Sequence, residues 1–169
     1  MPFTPFHMGP GLLIKALLQS SFSLMVFGWT QIAMDVQPLI AMIGGMARLH
    51  GFTHTYLGAT LIAIAAAVTG KYLSQWALVE IFGVTPLVIR WWVALLSAFI
   101  GAYSHVALDS LMHADMRPLW PFANTNAMLG LVSVSALHRF CVYSALVGAV
   151  AYITINRLIA RKHRRQLAP

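Results

Sequence analysis

Charge is what this sequence has least of. Only 9% of its 169 residues are charged, and four are acidic: Asp35, Glu80, Asp109 and Asp115. A soluble domain carries roughly 25% charged residues, so the composition excludes an ordinary water-soluble fold. Thiols are scarcer still. Cys141 is the one cysteine, which excludes an intrachain disulfide and a thiolate-rich structural zinc site. The stretch MPFTPFHMGPG has neither a basic leader nor a small-residue cleavage site. It therefore reads as mature chain rather than as a secretion signal. There is no internal repeat and no low-complexity tract.

What is present is apolar, at 59% of residues, and it is arranged in runs. The runs fall at about 12–34, 55–70, 91–108 and 140–160, with a shorter one at 36–47. Crossing a bilayer takes about 20 mostly apolar residues. The pattern predicts one all-α domain over 1–169, a polytopic transmembrane bundle with four or five membrane helices. The run 72–89 is broken by Gly83 and Pro86 and reads as an interfacial helix followed by a turn. Residues 110–139 form the longest polar-rich stretch.

The net charge of +7 gathers in the tail, where Arg157, Arg161, Lys162, Arg164 and Arg165 stand close together. Such a cluster can bind nucleic acid. Beside a membrane helix it reads instead as a positive-inside anchor, so no nucleic-acid partner is expected and residues 157–169 are placed in the cytoplasm. Counting back through four spans puts 110–139 outside, the loop between Lys71 and Arg90 inside, and residues 35–54 outside. Asp35, His50, His54, His105 and Asp109 then share the outer face, with His113 and Asp115 just beyond.

These residues suit a metal ion. His105 and Asp109 are four apart and project from one face of a helix. His50 and His54 repeat the i, i+4 spacing used by helical zinc sites. One such pair alone more often caps or packs a helix. Two pairs with Asp35, in a membrane chain this poor in polar groups, favour a site, because ionisable groups in spans are costly. Mixed imidazole and carboxylate ligands suit zinc, with manganese or iron as alternatives. More than four candidate ligands allow one or two ions. A straight helix from His7 to Asp35 would be about 40 Å long, so His7 joins the site only if the chain doubles back, for which QSSFS at 19–23 is the candidate turn. Arg117 is the cation nearest the ligands and suits a phosphate or carboxylate oxygen, although its neighbours Trp120 and Phe122 also fit an aromatic belt. His138, Arg139, Trp91 and Trp92 read as interface anchors, and Cys141 as a packed side chain.

Four short motifs, in order, resemble those of the YdjM-like inner-membrane proteins. They are HMGPGLLIKA, MDVQPL, LHGFTHT and SHVALDSLMHADMRPLWPF, which together reach to about residue 122. The family is regarded as membrane-bound, metal-dependent hydrolases. The resemblance implies a bacterial inner membrane and assigns His7, Asp35, His54, His105 and Asp109 to the metal site. The chain also departs from the pattern. Gln37 replaces a family histidine, the family's paired aspartates reduce to Asp35, and His50 stands where the family's HRG carries arginine.

Residues and resemblance together predict a hydrolase in which a metal-activated water attacks an ester or phosphoester. Asp35 or Asp109 serves as ligand or general base, and Arg117 steadies the oxyanion. The site's depth points to membrane lipids as partners and to a lipid substrate. A non-catalytic metal-binding protein or an ion transporter is the competing expectation. A seven-span hydrolase of the ceramidase type, hinted at by Ser104, does not fit in 169 residues.

Overall fold

The computed structural model describes residues 4–84 and 88–167. The described residues are all helix, turn and loop. The helices are α1 (Thr4–Leu18), α2 (Leu24–Ile43), α3 (Tyr56–Glu80), α4 (Trp91–Ser110) and α5 (Val134–Leu167). Four of them, α2 to α5, are long and apolar enough to cross a membrane. At about 1.5 Å per residue, the 15 residues of α1 reach only ~22 Å, short of a hydrocarbon core of about 30 Å.

The expected run 12–34 is thus two helices. Its break lies at Gln19–Ser21, a 3-10 turn in which Gln19 adopts φ 47°. Lys15 stabilises the turn by donating from Nζ to the carbonyls of Gln19 (2.8 Å) and Phe22 (2.7 Å). Ser23 caps α2 by accepting from Val26 N–H, and its own N–H donates to Ser97 Oγ of α4 at 2.8 Å. The chain doubles back here, so α1 and α2 lie side by side and the first crossing helix shifts to Leu24–Ile43. The short apolar run at 36–47 is mostly the end of α2, which stops at Gly44.

Helix α3 runs unbroken through Glu80, where an interfacial segment was expected from residue 72. A continuous hydrogen-bonded helix satisfies its interior backbone groups without help from water. Gly83, at φ 65°, takes up the turn after it, and Pro86 lies outside the described residues. Helix α5 extends beyond 140–160 at both ends and carries the basic tail as helix.

Small residues set the packing. Ala59, Ala63, Ala66, Ala67 and Gly70 line the buried face of α3, and Ala94, Ala98, Gly101 and Ala102 line that of α4. Small side chains let membrane helices approach closely. The α4 stripe continues at helical spacing to His105 and Asp109, and the packing that buries the alanines therefore buries these two as well. Gly9 does the same for α1, since a Cβ there would overlap the Cys141 carbonyl of α5.

Candidate metal centre

Asp109, in the last turn of α4, is the hub. Its Oδ2 lies 3.2 Å from His105 Nε2, 3.7 Å from His54 Nε2 and 4.0 Å from His50 Nε2. Its Oδ1 lies 3.3 Å from His7 Nε2. Asp35 Oδ1 stands 3.3 Å from His105 Nε2, and the Nε2 atoms of His54 and His105 are themselves 3.3 Å apart. The doubled-back chain brings His7 of α1 and Asp35 of α2 to the same place. His54 sits in the 3-10 turn Phe52–His54, which is fixed by the Thr55 cap on α3 and by Gly58, where a Cβ would overlap the Phe52 carbonyl.

The hydrogen-bond network fixes which ring nitrogen carries each proton. Gln31 donates its amide to the Gly101 carbonyl (3.0 Å), which turns Oε1 towards His105 Nδ1 at 2.8 Å. That oxygen only accepts, so His105 is protonated at Nδ1. Thr53 donates its one hydroxyl proton to Gln37 Oε1 (2.5 Å) and so must accept from His54 Nδ1 at 3.1 Å. His50 Nδ1 donates to Asp115 Oδ1 at 2.8 Å. In their neutral form, the form a metal ligand needs, all three imidazoles direct an Nε2 lone pair at the carboxylates. A partner on the far nitrogen is how proteins orient metal-binding histidines.

Lone pairs facing carboxylate oxygens in a buried space repel unless a cation lies between them. Both Asp109 oxygens and both His7 ring nitrogens are buried without a hydrogen-bond partner. A single proton cannot serve so many acceptors, whereas a metal ion can, so the residues fit one. Ligand atoms of Asp35, His54, His105 and Asp109 lie within 4.8 Å of one another, and so do those of His50, Asp109 and His113. Burial pushes the His54 imidazole down to about 3, with His105 adding to the effect, which keeps His54 neutral as a ligand must be. Burial raises the Asp115 carboxyl, but hydrogen bonds from His50 and the Leu49 N–H outweigh this and hold it at about 2.

The structure thus gathers His7, Asp35, His50, His54, His105 and Asp109. Arg117 is not within this buried group. It is exposed in the loop after α4, and its Nη1 donates to Asn124 at 3.4 Å. Reading the sequence missed three positioning residues: Gln31, Gln37 and Thr53. Gln31 carried a usable signal, being a glutamine one helical turn before Asp35 inside an apolar run. Replacing Gln31 with leucine should leave the protein folded and weaken metal affinity by about 10–100-fold, as measured by chelator competition. An unchanged affinity would remove Gln31 from this role.

A family model described as YdjM inner membrane protein matches residues 11–167. The chain belongs to this family. The YdjM match takes in the Asp35, His54 and His105–Asp109 motifs and runs on through α5, well past the reach of the motifs at residue 122. It begins four residues after His7, so the placing of that histidine rests on the structure. Comparisons with curated proteins and with solved structures find no match. As a YdjM family protein with four apolar helices, the chain is an integral membrane protein.

Proposed function

We propose that this protein is a membrane-embedded, metal-dependent hydrolase that cleaves an ester or phosphoester bond in a lipid. The observation that carries the reading is the convergence of three Nε2 lone pairs on two carboxylates in a buried cluster. His54, His105, Asp35 and Asp109 would hold the principal ion, with His7 beside Asp109. Zinc suits the set best, with manganese or iron as alternatives. When bound, such an ion lowers the pKa of water towards ~7 and polarises the scissile group.

The protein's own residues supply the rest. Asp35 is the more open carboxylate, with 29% of its side chain exposed against 1% for Asp109, and its oxygen not engaged by the ion is the better placed to take the proton from the attacking water. The water oxygen bonds to the ester carbon or phosphorus, the bond to the alkoxide breaks, and that alkoxide collects the proton. Arg117, exposed on the loop after α4, is available to a substrate oxygen. An apolar cavity of about 700 Å³ between α1, α2 and α3, lined by Met8, Met25, Gly28, Trp29, Ile32 and Trp76, offers room for a lipid chain, though no side chain of the metal cluster lines it. Transport is disfavoured by the deeper buried hydroxyls. Thr30 and Ser97 bond back to their own helices, at Val26 O and Val93 O, and open no polar path.

The 34 residues of α5 span about 51 Å and carry the basic tail to the opposite end from the site. With that tail in the cytoplasm, the site faces the outer side of the inner membrane.

The test is hydrolysis of lipid esters and phosphoesters by the full chain in nanodiscs. Chelation should abolish turnover, and zinc should restore it. Turnover that survives exhaustive metal removal would reject the mechanism.

A further inference from the structure

We propose a second divalent-cation site in this chain, formed by His50, His113 and Asp109, with Asp109 shared between two ions. The proposal rests on the reading of the first group as a metal site and deepens it. Two of the three side chains lie outside the set that the family motifs account for. His50 occupies the arginine position of the HRG motif, and His113 follows the SHVALD motif by one helical turn.

The geometry is built for a ligand. Asp115 Oδ2 accepts from the backbone N–H groups of Leu49 and His50, each at 3.0 Å, while its Oδ1 accepts from His50 Nδ1. This carboxylate–histidine arrangement orients the imidazole and raises its basicity. It leaves His50 Nε2 directed at Asp109 Oδ2, 4.0 Å away. The turn after α4 places His113. Its N–H donates to the Asp109 carbonyl at 2.9 Å, and its own carbonyl accepts from Asn126 Nδ2 at 3.2 Å. Asn126 also bonds the Ser110 carbonyl at 2.8 Å, strapping the loop to the helix end.

The bland alternative is a structural stack, since the His50 and His113 rings lie 4.3 Å apart and 30° from parallel. Stacking does not account for the orphaned atoms. His113 Nε2 is buried without a hydrogen-bond partner, as are both Asp109 oxygens. A cation between them would satisfy His113 Nε2 and one of the Asp109 oxygens. The carboxylate of Asp109 has two oxygens and belongs to both groups of converging ligand atoms. Two ions sharing a carboxylate typically lie about 3.5–4 Å apart and clamp the attacking and leaving oxygens of a phosphoryl centre. The second site therefore favours phosphoesters over carboxylic esters as the substrate class.

The experiment uses the full chain in detergent, stripped of metal and titrated with zinc or manganese alone. Equilibrium dialysis with elemental analysis should give two ions per chain for the wild type and one for both His113→Ala and His113→Gln. With manganese, the wild type should show a spin-coupled pair by electron paramagnetic resonance, and the variants an uncoupled ion. Both variants should keep wild-type helicity and elution volume. One ion in the wild type, unchanged by the variants, overturns the second site and leaves the first standing. Two ions that persist in both variants also overturn it, because His113 is then no ligand. No ion at all in the wild type overturns both readings.

Discussion

Replacing His105 with alanine should remove the principal ion and reduce hydrolysis on the order of 10³-fold or more. Its Nε2 stands within 3.3 Å of three other groups that would hold the ion: Asp109, Asp35 and His54. No neighbouring side chain can replace it at that point, because His54 and Asp35 already face the same centre. Metal activation of water supplies several kcal/mol of transition-state stabilisation. Each ~1.4 kcal/mol is tenfold in rate, so its loss reaches this size. The drop should appear in kcat, with metal content falling in parallel and helicity retained. His105→Ala with full metal content would mean that the ion sits elsewhere.

Asp109→Asn separates a metal ligand from a structural ion pair by the sign of its effect. In a structural network, deleting one partner of a buried pair costs about 3–5 kcal/mol. Here, with the surrounding imidazoles neutral, the metal-free protein holds a buried carboxylate that lacks a well-formed hydrogen bond. Removing that charge should leave the metal-free variant melting at or above the metal-free wild type. Zinc should then tell the two apart. A ligand at about 1,000 times its Kd stabilises a folded protein by ~4 kcal/mol. At roughly 2–4 °C per kcal/mol for a chain of this size, the wild type should gain about 10 °C. The variant should gain little. A metal-free Asp109→Asn that melts far below the wild type, with zinc moving neither, would identify the cluster as structural.

Much of this was legible in the sequence, for identifiable reasons. The apolar runs announced the spans because a bilayer leaves few other ways to satisfy a backbone. The i, i+4 spacing of His105 and Asp109 survived intact because both lie on one continuous helix. The first span was misplaced because hydropathy runs on through residues 19–23, although QSSFS was the candidate turn there; Lys15, capping carbonyls four and seven residues ahead, fixes the break at Gln19–Ser21. That same turn decides His7, which spacing alone could not place. The proton positions were also out of reach. They follow from Gln31 meeting Gly101, and Gln37 meeting Thr53, across 70 and 16 residues of chain. His50 looked like half of a helical pair with His54. In the structure His54 ends the 3-10 turn Phe52–His54, whereas His50 precedes that turn and is oriented by Asp115, 65 residues away.

The most direct measurement is the metal content of the wild-type protein, purified from membranes without chelator and without added metal. The account predicts at least one tightly held zinc, manganese or iron per chain, lost in His105→Ala. A wild-type chain that is free of metal as purified, and takes up none when each is supplied, would contradict it.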